Sequence, residues 1–184
     1  MARHGTLQFS DMRRIVVFGT TGSGKSWLAE RLAARHGLRV IELDKLNWGP
    51  NWEPAPIELL RHRVECEIGD GDWIVVGNYP SVRDLVWGAA DTLVWLDLPF
   101  PLVIWRLFWR TLRRSVTREN LWGSGNTESL VRSFFTRQSI LLYAMRTHGR
   151  NRRRFTVDTV AYGKDKKVVR LTDARAVQRF ALSS

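Results

Sequence analysis

Gly19, Gly24, Lys25 and Ser26 stand at the spacing G-x-x-x-x-G-K-S inside the stretch GTTGSGKS. Each residue type has a physical task in such a loop. Glycines let backbone N–H groups turn inward around phosphate oxygens, a lysine reaches the outer phosphates, a serine hydroxyl faces magnesium, and a following helix adds its positive dipole end. The flanking sequence fits. Arg13 to Phe18 reads as a buried strand leading in, and KSWLAERLAARHG as a helix leading out, with Leu28 and Leu32 one turn apart and Gly37 as its stop. Gly19, Thr21, Gly22, Ser23, Gly24, Lys25, Ser26 and Trp27 are therefore the expected nucleotide-binding residues, with ATP and Mg2+ as the expected cofactors and the choice of base left open.

Carboxylates follow on the next strand. LRVIELD reads as a strand ending at Asp44, with Glu42 two residues earlier and hence on the same face. A carboxylate beside the outer phosphate can orient or deprotonate an acceptor hydroxyl, and a second can hold magnesium through water, so Asp44 is the expected base and Glu42, with Ser26, the expected metal contact. Capping a turn is the competing use of an Asp at a strand end. After a third strand, WIVVG, the segment GNYPSVRD brings Asn78, Tyr79 and Arg83 toward the same cleft, although Arg83 equally suits an ion pair on a helix surface. Trp48 and Trp52, in a glycine- and proline-containing loop, are expected to wall the acceptor site. Core packing is the alternative for a chain with nine tryptophans.

Charge is concentrated in one place. The chain of 184 residues carries a net charge of +11, and residues 101–154 hold twelve arginines, no lysine and two glutamates. Arginine's planar fork matches phosphate oxygens, so this segment is expected to clamp the transferring group, with Arg118 and Arg137 as the catalytic arginines. The run RNRRR at residues 150–154 is expected in solvent or at a helix end. The positive segment also keeps nucleic acid open as a partner, behind a small-molecule acceptor.

These residues need a scaffold. DTLVWLD and KKVVRL read as fourth and fifth strands, IELLRHRVECEIGDG, residues 101–114 and 128–148 as helices, and DARAVQRFAL as a closing helix; residues 151–165 fit no element clearly. Strands alternating with helices specify a parallel sheet covered on both faces, a three-layer α/β/α fold in one domain over residues 12–184. Residues 1–11 are expected to be a polar leader without fixed structure. Cys66 is the only cysteine, which excludes an internal disulfide and points to a reducing, cytoplasmic setting. The most apolar stretch is interrupted by Asp97, Pro99, Pro101 and Arg106, so no membrane span is expected, and a monomer or homodimer fits the length.

Taken in order, GTTGSGKS, LDKLNWGPNW, WIVVGNY followed by RD, ADTLVWLDLP, TLRRSVTREN and SILLYAMRTH make the chain resemble the adenylate-kinase-like P-loop kinases. More closely, it is similar to a subgroup of short bacterial proteins labelled DNA topology modulation protein or putative adenylate kinase. The resemblance spans roughly Met12 to Leu182. It implies a five-stranded parallel core, an acceptor-binding insert over about 45–72, a short arginine lid over about 113–127, and phosphoryl transfer stabilised by Lys25 and lid arginines. One position departs from the pattern: an acidic residue commonly precedes the glycine of the GNY segment, and here Val76 occupies it. Three activities are compatible: transfer to a small nucleotide-like or hydroxyl-bearing acceptor, transfer to a 5′-hydroxyl nucleic-acid end, or nucleotide-gated DNA binding with little transfer. The glycine, aromatic, proline, arginine pattern of true adenylate kinases is missing after the third strand, which argues against AMP as acceptor.

Overall fold

The computed structural model describes residues 12–117 and 140–183. Five strands, β1 (Arg14–Gly19), β2 (Arg39–Glu42), β3 (Trp73–Val76), β4 (Thr92–Leu96) and β5 (Lys167–Leu171), form one parallel sheet in the order β2-β3-β1-β4-β5. Among the described residues seven α-helices connect and cover them: α1 (Lys25–His36), α2 (Leu43–Asn47), α3 (Ile57–Ile68), α4 (Arg83–Ala89), α5 (Phe100–Thr117), α6 (Ile140–Tyr162) and α7 (Ala174–Ser183). The strand order puts β1 between β3 and β4, so the loop leaving β1 opens where the chain has branched to either side of it. Ligands of open α/β sheets gather at such a point.

Period-2 alternation along β1 assigns its two faces. Ile15 and Val17 pack with Leu28 and Leu32 of α1 and Val177 and Phe180 of α7, whereas Val16 and Phe18 pack with Leu60 and Val64 of α3, Val86 of α4 and Phe155 of α6. The sheet is thus buried on both faces, as a continuous apolar strand such as WIVV requires. Aromatic rings fill the second layer: Phe18 lies 4.5 Å from the Trp87 ring centroid and 5.4 Å, edge-on, from that of Phe155. Trp73, Trp87 and Trp95 are core residues, while Trp27, Trp105 and Trp109 are exposed.

Three elements differ from the sequence expectation. First, β2 stops at Glu42 and the chain turns at once into α2, so Asp44 lies in a helical first turn and does not share a strand face with Glu42. Burial of Leu43 and the bond from Trp48 N–H to Asp44 C=O (3.0 Å) close that turn. Second, α6 runs unbroken through RNRRR and residues 151–162. Phe155 and Tyr162 pack on the sheet layer, and Arg152, exposed as expected for this run, also donates its Nε to Asp97 at 2.9 Å. Third, α5 continues to Thr117, past the expected end at Arg114. Most of the expected lid, residues 118–127, lies outside the described residues, as do residues 1–11. Among the described residues no helix is long and apolar enough to cross a membrane.

Candidate active site

The loop between β1 and α1 is built so that backbone, not side chains, lines its interior. Gly22 has φ +81°, and a Cβ there would come within 3.0 Å of Leu107 Cβ and of Val103 C=O on α5. At Gly19 a Cβ would meet Leu96 C=O at 2.7 Å. No side chain caps the N-terminus of α1, where Gly24 is the N-cap, so the first-turn N–H groups are left for a ligand. Ser23 Oγ is buried without a hydrogen-bond partner. Lys25 Nζ makes one hydrogen bond, to Thr20 C=O at 3.1 Å. An uncapped helix end, an orphan hydroxyl and an under-used ammonium around a glycine cradle are what an anionic phosphate chain would satisfy, and these residues fit it. Trp27 contributes no ring to this cradle: it is 42% exposed and pairs with the Arg31 guanidinium 5.6 Å from its centroid.

Lys25 is electrostatically under tension. Burial lowers its pKa from 10.5 to about 8, Asp44 opposes that shift, and Arg110 adds to it. Asp44 and Arg110 are therefore both close enough for their charges to act on the ammonium. Because the folded pKa is below the unfolded one, the unfolded chain binds more protons between about 8 and 10.5, and Lys25 makes stability rise with pH across that window. A bound polyphosphate supplies the missing counter-charge and raises the pKa again. Nucleotide binding at about pH 9 is accordingly expected to take up close to one proton, read by calorimetry in two buffers of different ionisation enthalpy, and Lys25→Met is expected to remove that uptake.

The arginines at the cradle come from α5. Arg106 reaches Ser23 C=O with Nη1 at 3.4 Å and passes 3.6 Å from where a Gly24 Cβ would be. Arg110 is one turn further along. The sequence reading chose Arg118 and Arg137, which lie outside the described residues; Arg106 and Arg110 were legible as an i, i+4 pair flanking the apolar positions Val103 and Leu107.

On the opposite wall, Tyr79 donates its hydroxyl to Asp44 Oδ1 at 2.6 Å. Burial, then the Asp44 charge and this hydrogen bond, push the Tyr79 pKa well up, so the phenol stays a donor. Trp48 and Trp52 meet edge-on with centroids 6.0 Å apart, both half-buried. Asn51 and Trp52 have φ of 58° and 62°, a left-handed conformation rare for so bulky a residue and concentrated at ligand-contacting loops.

Glu42, Asn78 and Arg83, also expected at the site, have other partners. Glu42 ends the edge strand, two strands from β1 and so about 10 Å of sheet away, and it pairs with Lys45 at 3.5 Å. Among the described residues no group of three or more His, Cys, Asp or Glu side chains could hold a metal. Ser26 is exposed beside Lys25 at the start of α1. Val76 is buried in β3, in register with Glu42 and Val17.

Arg83 is a structural ion pair. It is 7% exposed, bonds Asp158 on α6 at 2.6 Å, donates to Asn78 Oδ1 at 3.0 Å and lies over the Trp87 ring at 5.5 Å. Burial pulls its pKa down and Asp158 opposes this. Asn78 is occupied by the same contact. Removing one partner of a buried pair strands the other, so Arg83→Met is expected to destabilise the fold by about 3 to 5 kcal/mol in denaturant unfolding, and Arg83→Met with Asp158→Leu to recover most of that loss.

The sheet order and the loop between β1 and α1 define a P-loop NTPase fold of the three-layer α/β/α kind. No protein-family model matches the chain, and no curated protein matches it. Among solved structures it is similar to a sugar kinase from Janibacter sp. HTCC2649, solved unliganded, with 18% identity over 93% of each chain and a TM-score of 0.47. A gluconokinase from Sinorhizobium meliloti 1021 matches with 18% identity over 93% of this chain and 94% of that one, at a TM-score of 0.49.

Proposed function

We propose that the chain is an ATP-dependent kinase that transfers the γ-phosphoryl group to a hydroxyl of a small-molecule acceptor. The observation that carries this reading is the placement of Asp44, fixed by Tyr79, within electrostatic reach of Lys25 at the phosphate cradle. ATP with magnesium supplies an electrophilic phosphoryl group whose transfer needs positioning and charge stabilisation more than covalent help.

Each residue then has a task. The cradle N–H groups and Lys25 hold the outer phosphates, with the Ser26 hydroxyl beside them for the metal. Arg106 and Arg110, with Arg118 from the lid and Arg137 from the segment after it, place positive charge where negative charge develops. Asp44 accepts the acceptor hydroxyl's proton, and Tyr79 keeps that carboxylate aimed. Trp48 and Trp52 offer apolar ring surface to the acceptor's carbon skeleton. The adenylate-kinase-like subgroup and a cytoplasmic site of action belong to the same proposal.

The test is to incubate the protein with magnesium, γ-labelled ATP and a small-molecule cell extract. Label is expected on an organic acceptor. Label that stays on ATP, or leaves only as inorganic phosphate, would overturn the reading.

A further inference from the structure

Asp97 directly follows β4, and its side chain is 4% exposed. Two arginines converge on it. Arg152 of α6 gives Nε to Oδ1 at 2.9 Å, and Arg170 of β5 gives Nε to Oδ2 at 2.9 Å with its Nη2 bonded to the same oxygen. One guanidinium is enough to neutralise a buried carboxylate, so the second leaves the group with a positive charge to spare. Both arginines are tied down at the end that faces Asp97 and open at the other. Their side chains are 55% and 47% exposed, and Arg152 Nη1 and Nη2 and Arg170 Nη1 have no partner among the described residues. Arg170 is also held by the Trp95 ring, whose centroid lies 4.5 Å from the guanidinium carbon. A planar fork fixed through Nε presents its remaining N–H groups in a set direction, the geometry that meets a phosphate or carboxylate with paired bonds.

The place of this group in the sheet separates it from both halves of the proposed active site. Leu96, just before Asp97, is the strand partner of Gly19, so the group stands at the ligand edge of the sheet, next to the glycine loop. It belongs to β4 and β5, whereas Asp44 and Tyr79 follow β2 and β3 on the other side of β1. Trp95, packed edge-on against Phe155, puts it on the α6 face of the sheet, opposite the face that α1 covers. His148, one turn before Arg152, is close enough for Asp97 and Arg152 to act on its charge, and its Nδ1 is buried without a hydrogen-bond partner. Asp173, the carboxylate past β5, is taken up in capping α7, where it accepts from Ala176 N–H at 2.8 Å. We infer that Arg152 and Arg170 form an oxyanion site, distinct from the glycine loop, for a small ligand bearing a phosphate or carboxylate group. This goes beyond the kinase reading and does not depend on it. Asp97 sets both the shape and the strength of the site: it aims the two forks and offsets one of their two charges.

Labelled inorganic phosphate is the probe, followed by equilibrium dialysis at constant ionic strength with chloride as the balancing anion. Magnesium and the non-hydrolysable imido analogue of ATP are present in excess, so that the glycine loop is already filled. Wild-type protein is expected to bind one phosphate per chain under these conditions. Arg152→Gln leaves Arg170 on Asp97, which keeps the carboxylate paired, and is expected to weaken binding by about 10-fold or more. Arg152→Lys, with the charge but not the fork, is expected to restore only part of that loss. Asp97→Asn is expected to tighten binding a few-fold, because neither positive charge is then offset. An ion-pair network with a purely structural role would give no such gain. Phosphate binding that disappears once the analogue fills the loop, or that is the same in Arg152→Gln as in wild type, overturns the inference. Should Asp97→Asn fail to fold, the two Arg152 variants decide alone. Displacement of the label by glycerol phosphate or by succinate then tells a phosphate ester from a carboxylate, and either result supports the site.

Discussion

Lys25→Met is expected to lower kcat/KM for phosphoryl transfer by about 10³-fold, the loss typical when a preorganised charge is removed from a developing anion. Several observations converge on that size. Lys25 Nζ donates to Thr20 C=O, and Asp44 and Arg110 act on its charge in opposite senses. Its charge is disfavoured without a ligand and favoured with one. Removing it therefore penalises the complex and relieves the free protein. The Tm of the free Lys25→Met protein is expected to match or exceed that of wild type, while nucleotide affinity and turnover both drop. A fall in Tm beside the loss of turnover would instead assign Lys25 to holding the loop together. Thermal unfolding with and without nucleotide, alongside steady-state rates, separates these two roles.

The glycine loop between β1 and α1 was legible because its constraints are local. A strand of β-branched residues, a glycine loop and an amphipathic helix are contiguous in sequence, and the same short stretch both shapes the site and supplies its groups. The sheet was legible for a related reason: runs such as WIVV and TLVWL are buried on both faces and show it by composition alone. The grouping of Asp44 with Tyr79 was only partly legible. Asp44 and Tyr79 are 35 residues apart and meet through a turn at Leu43 that strand periodicity does not reveal. Arg83 looked available because its partner, Asp158, lies on a helix far along the chain whose continuation through five residues of RNRRR is set by packing of Phe155 and Tyr162, not by local propensity. Charge runs resist reading for this reason: whether an arginine is solvated, paired or poised at a ligand depends on what the fold brings opposite it. Arg152 reached Asp97 and Arg106 reached the cradle, and both had looked alike in a stretch of twelve arginines.

Asp44→Asn is expected to reduce kcat by about 10² to 10⁴-fold, the range for loss of a general base, with nucleotide affinity changed only a few-fold. The substitution keeps shape and an acceptor oxygen, so the Tyr79 hydroxyl retains a partner and the fold is expected to hold. It also removes the charge that opposes the burial shift of Lys25, so the lysine's pKa is expected to fall further below about 8. Proton uptake on nucleotide binding should then become larger at about pH 8 than in wild type, which reports the Asp44 charge acting on Lys25. Tyr79→Phe takes away the 2.6 Å hydrogen bond without touching the carboxylate's charge. A bond to a charged group contributes about 1.5 to 3 kcal/mol, so a loss in kcat of about 10-fold or somewhat more is expected, with proton uptake unaltered. The two variants thus divide the roles: one abolishes the base and shifts the lysine, the other only loosens the base's aim. Should Asp44→Asn turn over as wild type while Lys25→Met does not, the carboxylate would not be the base. Transfer would then depend on the cradle and the α5 arginines alone, as in a loose phosphoryl-transfer transition state in which little proton removal has occurred when the bond to the leaving oxygen breaks.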